Sequence, residues 1–152
     1  MNTFIKKGAE DMGHVVIVPI DGSVHSHQAL YFAVTVAKQI SGKIVIVNVQ
    51  PNLFTPNIQR FVAKQEIHTY LQELGDEILN KAEDLIVKES IQMEKVFRIG
   101  IPKVEICNLA KELDAYSIVM GSRGMGPVKS AVLGSVSLGV LQLAPCPVTI
   151  VP

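Results

Sequence analysis

The sequence predicts an α/β fold, a single-domain doubly wound parallel sheet of five strands with helices on both faces. Three observations carry this. Apolar runs rich in β-branched residues recur at His14 to Ile20, Lys43 to Val49, Ser117 to Met120 and Val148 to Val151, as expected of strands covered on both faces. Segments with apolar residues at steps of three and four stand between them. No internal repeat or low-complexity stretch competes, and strict alternation calls for right-handed crossovers between parallel strands.

The first run, Val-Val-Ile-Val-Pro-Ile, ends at Asp21-Gly22-Ser23. Ser23 and Ser26 are each a candidate cap for the helix that follows. There Ala29, Leu30, Ala33, Val36, Ala37 and Ile40 recur at helical spacing until Ser41-Gly42 stops it. In the second strand Asn48 is the one polar interruption between Ile44 and Val49. Pro51 to Pro56 reads as a loop, and Arg60 to about Ser90 as one long amphipathic segment, irregular at its N-terminal end, with Leu71, Leu74, Ile78, Ala82 and Leu85 on one face. Gly75 inside it weakens the helix by about 1 kcal/mol relative to alanine. Gln92 to Ile99 is a less apolar strand, hence near an edge. Gly100-Ile101-Pro102 turns the chain into a short helix, Val104 to Leu113. Gly134 to Leu143 is a further helix before the last strand.

Between Met120 and Gly134 lies a loop with glycines at 121, 124 and 126. Strand, glycine loop and helix start make an anion cradle. Glycine permits close approach, and a helix N-terminus supplies unpaired N–H donors and the positive end of a dipole. In doubly wound sheets ligands sit beyond the carboxyl ends of strands, where strand order reverses. Asp21 and the glycine loop both leave such ends, and they meet if the first and fourth strands are neighbours.

Lys+Arg 14 balances Asp+Glu 14, and no run of like charges reaches five, so neither a nucleic-acid partner nor an anionic membrane is indicated. At 152 residues the chain is long enough to bury roughly two thirds of its unfolded surface in one domain. Residues 1–13 read as a flexible arm without the apolar core of a secretory signal, preceding a domain over 14–152. The uncharged stretch Ser130 to Pro152 is long enough for a membrane span. Its polar interruptions, with Pro145 and Pro147, favour a buried helix and a buried strand. Cys107 and Cys146 lack metal-ligand spacing and read as buried free thiols, in keeping with a reducing cytoplasm.

The loop is not a P-loop: Gly121 and Gly126 have the spacing, but Pro127-Val128 displaces Lys129-Ser130 by two residues. Nor is it G-x-G-x-x-G, since the order is G-x-x-G-x-G and it follows the fourth strand. The pattern present is Gly121-Ser-Arg-Gly124, nine residues, then Gly134-Ser135. Together with Val-Pro-Ile-Asp-Gly-Ser, Gly-Ile-Pro, Leu-Gly-Ser-Val-Ser and the terminal Cys-Pro-Val, this resembles the universal stress protein family, in its ATP-binding branch, from Val15 to Val151.

The resemblance implies an adenine-nucleotide alpha-hydrolase-like sheet in the order 3-2-1-4-5, a homodimer paired through the last strand, and ATP, alone or with Mg²⁺, as ligand. By position, Pro19, Asp21 and Val49 match family residues around adenine and ribose, with Asp21 accepting from ribose hydroxyls. Met120, Gly121 and Gly124 match the loop near ribose and phosphates. Gly134, Ser135, Val136 and Ser137 match the helix start that holds phosphates. Arg123 stands at a variable spacer position within reach of a phosphate.

Each role has a plainer competitor: Asp21 as a helix cap, Gly121 and Gly124 as turn residues, Ser135 and Ser137 as caps, Arg123 as a solvated side chain. Efficient phosphoryl transfer needs a placed base, a neutralising cation and carboxylates for Mg²⁺. Here Asp21 is the lone acid near the loop. His25 and His27 stand two apart and so face different ways on a helix, a poor metal pair. The reading is a cytoplasmic ATP-binding regulatory protein with at most slow hydrolysis. A slow ATPase or phosphotransferase, or a nucleotide-free interaction module of the same fold, is the alternative.

Overall fold

A computed structural model describes residues 14–125 and 133–152. The expected arm at 1–13 lies outside the described residues, as do Gly126 and Lys129. The elements are β1 (Val15–Pro19), α1 (Val24–Gln39), β2 (Lys43–Gln50), α2 (Pro56–Gln59), α3 (Lys64–Ile86), β3 (Met93–Ile99), α4 (Pro102–Glu112), β4 (Ser117–Gly121), α5 (Ser135–Leu143) and β5 (Val148–Val151). The five strands form one parallel sheet in the order β3-β2-β1-β4-β5, as expected.

Strand periodicity divides the core into two layers. Val16 and Val18 of β1 point to one face with Ile44 and Ile46 of β2, against Ala29, Leu30 and Ala33 of α1 and Leu79 and Ala82 of α3. Ile17, Val45 and Val47 point to the other, against Ile106, Leu109 and Ala110 of α4 and Val140 of α5. Residues one apart serve opposite layers, which is why these strands read as unbroken apolar runs. β1 pairs with both β2 and β4, so the carboxyl ends of β1 and β4 form the reversal point of the sheet.

The edges differ in character. β3, an edge as its composition foretold, is dressed with ion pairs: Lys43 to Glu94 at 2.7 Å, Lys95 to Glu83, and Arg98 to Glu112 at 2.5 Å. Each is exposed and adds little stability, but charge on an edge discourages pairing with other chains. β5 carries no charge, and its residues are half-buried.

Several boundaries differ from expectation. Ser23 alone caps α1, its hydroxyl accepting the Ser26 N–H at 3.1 Å; Ser26 sits inside the helix and donates back to the Ser23 carbonyl at 2.9 Å. The Arg60 to Ser90 segment is helical only over Lys64–Ile86. Before it, Thr55 caps the four-residue α2 in a stretch read as loop, with Pro56 in its first turn, where a missing N–H is harmless. α4 begins at Pro102 rather than Val104 for the same reason. Of the two free cysteines, Cys107 is buried but Cys146 is only partly so. Desolvation raises both thiols above their ordinary pKa, which keeps them protonated at neutral pH.

Gly75 has a packing explanation. A Cβ there would overlap the Phe97 ring, 2.6 Å from Cε2, and crowd Asn48 Oδ1 at 3.1 Å, so its absence lets α3 lie close against β2 and β3. Although alanine is the better helix former, Gly75→Ala should therefore destabilise the protein by about 1–3 kcal/mol in chemical denaturation. Most of that loss should disappear in a Phe97→Leu background. A stabilising Gly75→Ala would contradict the packing.

Candidate functional site

The C-terminal end of β1 is fixed by β2. Ile20 N–H donates to the Val47 carbonyl at 2.8 Å, and the buried Asn48 amide donates to the Ile20 carbonyl at 2.8 Å while its oxygen accepts from Gln50 Nε2 at 2.9 Å. The polar interruption of the second strand thus satisfies a main-chain acceptor where the sheet frays into the site. Asp21 follows. One of its oxygens accepts the Ser23 N–H at 2.9 Å in a tight turn, and the residue remains exposed. Asp21 thus braces the turn before α1, while Ser23 supplies the cap.

The loop after β4 is held at both ends. Ser122 N–H donates to the Val151 carbonyl of β5 at 2.8 Å. The Ser122 carbonyl accepts from Gly134 N–H at 2.7 Å and from the buried Ser137 hydroxyl at 2.9 Å. Ser137 Oγ also lies 3.0 Å from the Gly134 carbonyl. This cluster sets the first turn of α5 beside the strand ends.

The glycines divide by purpose. A Cβ on Gly121 would stand 2.8 Å from the carbonyl carbon and Cβ of His25, so this glycine lets β4 pack against α1 rather than clearing a ligand space. A Cβ on Gly124 would overlap the second Asp21 oxygen, which brings the first βα turn and the glycine loop into direct contact. Gly134 is different: its backbone, φ −74° and ψ 167°, suits any residue. A Cβ there would meet nothing closer than 3.5 Å among the described residues.

Around these features lies a cavity of about 390 Å³. Every residue proposed from the sequence lines it: Pro19, Asp21 and Val49 from the ends of β1 and β2; Met120, Gly121, Arg123 and Gly124 from β4 and its loop; Gly134, Ser135, Val136 and Ser137 from the start of α5. Sequence reasoning missed Ile20, Val47 and Asn48, which flank the proposed strand residues, Ser26 in the first turn of α1, and Met125 and Leu133 from the loop. It also missed Pro102 and Ile106 of α4. The Gly100-Ile101-Pro102 turn was a usable signal, because it too leaves the carboxyl end of a strand.

The arrangement has three chemical sectors. Apolar walls from Pro19, Val47, Val49 and Ile106 suit a flat ring. The Asp21 carboxylate retains acceptor capacity for hydroxyls. The first-turn amides of α5, at Ser135 to Ser137, have no carbonyl four residues back within their helix and face an anion favourably. α5 carries no acidic residue in its first turn to answer that dipole. Among the described residues, no group of three or more His, Cys, Asp or Glu side chains comes together. No helix there is long and apolar enough to cross a membrane.

A doubly wound parallel sheet with a cleft at its reversal point is a class of α/β domain that holds its ligands beyond the carboxyl ends of the strands. Within it, the chain belongs to the universal stress protein family, whose model matches residues 12–152. A relative, universal stress protein YxiE of Bacillus subtilis, is 36% identical over 147 residues, covering 92% of this chain and 99% of its own. The structure of universal stress protein UspA from Lactobacillus plantarum superposes with a TM-score of 0.79 at 22% identity, covering 91% of this chain and 97% of its own, a likeness of fold. A universal stress protein crystallised in complex with cAMP superposes with a TM-score of 0.71 at 24% identity, covering 93% of this chain and 98% of its own.

The two kinds of glycine should separate in stability measurements. Gly121→Ala forces a methyl into the α1 main chain and should lower unfolding free energy by about 1–3 kcal/mol. Gly134→Ser, at a position that accepts serine as a helix cap, should change it by no more than about 0.5 kcal/mol. Equal effects in urea titrations would contradict the division.

Proposed function

We propose that this chain binds ATP in the cavity and acts as a nucleotide-responsive regulatory protein of the stress response. The observation that carries the reading is the convergence of three unlike sectors on one cavity: an apolar slot, a carboxylate and a row of helix-start amides. That sequence of chemistries complements adenine, ribose and phosphate in order. Gly134 adds to it, because nothing else among the described residues requires a missing side chain there. The cAMP-bound relative supports adenine nucleotides as the class. In this reading Pro19 and Val49 flank the base, Asp21 accepts from the ribose hydroxyls, and Met120, Gly121 and Gly124 form the floor. Ser135, Val136 and Ser137 offer main-chain donors to phosphate. Arg123, which is half-buried and lines the cavity, faces the same end. The Ser137 hydroxyl already serves the Ser122 carbonyl, so its part is to hold the cradle in shape.

The same reading makes the protein a cytoplasmic homodimer. The uncharged edge of β5, flanked by exposed Leu138, Leu141 and Leu143 of α5, supports pairing of two copies there. Free thiols fit a reducing compartment.

The test begins with protein purified without added nucleotide, then denatured, with the released small molecules identified by mass spectrometry. Adenine nucleotide should be present. Calorimetry should show ATP binding that weakens about tenfold or more in Asp21→Ala, given that a hydrogen bond to a charged group contributes about 1.5–3 kcal/mol. Absence of both bound nucleotide and ATP affinity would overturn the proposal in favour of the interaction module. Phosphate release well above the spontaneous rate, lost in Asp21→Ala, would favour the ATPase.

A further inference from the structure

Gly139 is buried in the middle of α5, where glycine is a poor choice for a helix. Its backbone is helical, and the reason for the glycine lies on α4. A Cβ at Gly139 would overlap the Lys103 side chain, falling 3.0 Å from its Cβ, 3.3 Å from its Cγ and nearer still to Cδ. The aliphatic stem of Lys103 therefore lies across α5 in the space the glycine leaves open.

That contact adjoins the cavity without lining it. Cα–Cβ directions tilt toward a helix N-terminus, and residues three and four apart share a face. Gly139 therefore opens toward Ser135 and Val136, one turn, about 5.4 Å, nearer the helix start. Both line the cavity, as does Pro102, the residue before Lys103. Lys103 is exposed, and no carboxylate stands within ion-pair distance of it among the described residues. Lys38, Lys43, Lys81, Lys95 and Arg98 each have such a partner; Arg60, Lys64, Lys88 and Lys111, like Lys103, do not, and of these only Lys103 follows directly on a residue that lines the cavity. A lysine whose stem rests on Gly139, one turn from a helix start that carries no acidic residue, is within a side chain's reach of a phosphate held there. Its ammonium is a compact charge on a flexible chain, suited to following a phosphate tail rather than gripping one group.

Resting on the nucleotide reading of this cavity, we propose that Lys103 is a specificity-determining residue of the site. Its ammonium neutralises the outer phosphates of the ligand and makes the protein prefer nucleoside triphosphates and diphosphates to monophosphates. The stem supplies placement; the charge supplies the preference.

The experiment is calorimetric titration of the full chain with ATP, ADP and AMP, in wild type, Lys103→Met and Lys103→Arg. Methionine keeps an unbranched stem over Gly139 and removes the charge. Wild type should bind ATP at least about fivefold more tightly than AMP. In Lys103→Met, ATP affinity should fall about five- to tenfold and AMP affinity less than about twofold; Lys103→Arg should restore most of the loss. The ATP preference of wild type should shrink as salt is raised. Gly139→Ala, which keeps the charge but displaces the stem, should also narrow the ATP-to-AMP ratio. A merely structural lysine would move all three nucleotides together, and that result, or no change in Lys103→Met, would overturn this inference while leaving the nucleotide reading standing. Failure of wild type to bind any of the three would overturn both.

Discussion

The Ser122 carbonyl is the junction on which the site depends. It receives Gly134 N–H and the Ser137 hydroxyl, while the amide of the same residue is committed to β5 through Val151. Three elements, β4, β5 and α5, are thereby fixed at one residue that is itself buried. A buried carbonyl with two donors is fully satisfied, and removing either would loosen one of the ties that hold α5 to the strand end. The consequence for function is positional. The donor-rich start of α5 stands beside the reversal point of the sheet, and the carboxylate of Asp21 reaches the same place from β1.

The small residues of this region do different work despite looking alike in sequence. Gly121 allows a strand to meet a helix, Gly124 allows two loops to meet, and Gly134 answers to nothing else in the described protein. Gly75 and Gly139 accommodate an aromatic ring and a lysine stem. Reading all five as conformational freedom would miss that none of them has φ in the left-handed region; Gly22 and Gly100 do. Their common role is to let other groups approach, which propensity scales count as a loss.

Much of this was legible in the sequence because the two signals involved are local. Continuous β-branched runs mark strands buried on both sides, and the interval from Gly121 to Gly134-Ser135 marks residues that line the cavity. Boundaries failed where a cap decided them: Thr55 and Pro56 start a short helix in an apparent loop, and Ser23 rather than Ser26 opens α1. Partners across the fold were out of reach. Nothing in the chain order says that Phe97 fills the notch at Gly75, that Asn48 holds the Ile20 carbonyl, or that α4 supplies Pro102 and Ile106 to the cavity wall. The Ser137 hydroxyl reads as a ligand donor from its place at a helix start, whereas the structure gives it an internal carbonyl.

In the proposed function one ligand bridges Asp21 and the first turn of α5. Amide resonances followed by ¹⁵N nuclear magnetic resonance during addition of ATP test this most directly. The account predicts that Val49, Gly124, Ser135, Val136 and Ser137 shift together, along one saturation curve with a single dissociation constant. Shifts confined to another face of the sheet, or separate curves for the strand ends and the helix start, would contradict it.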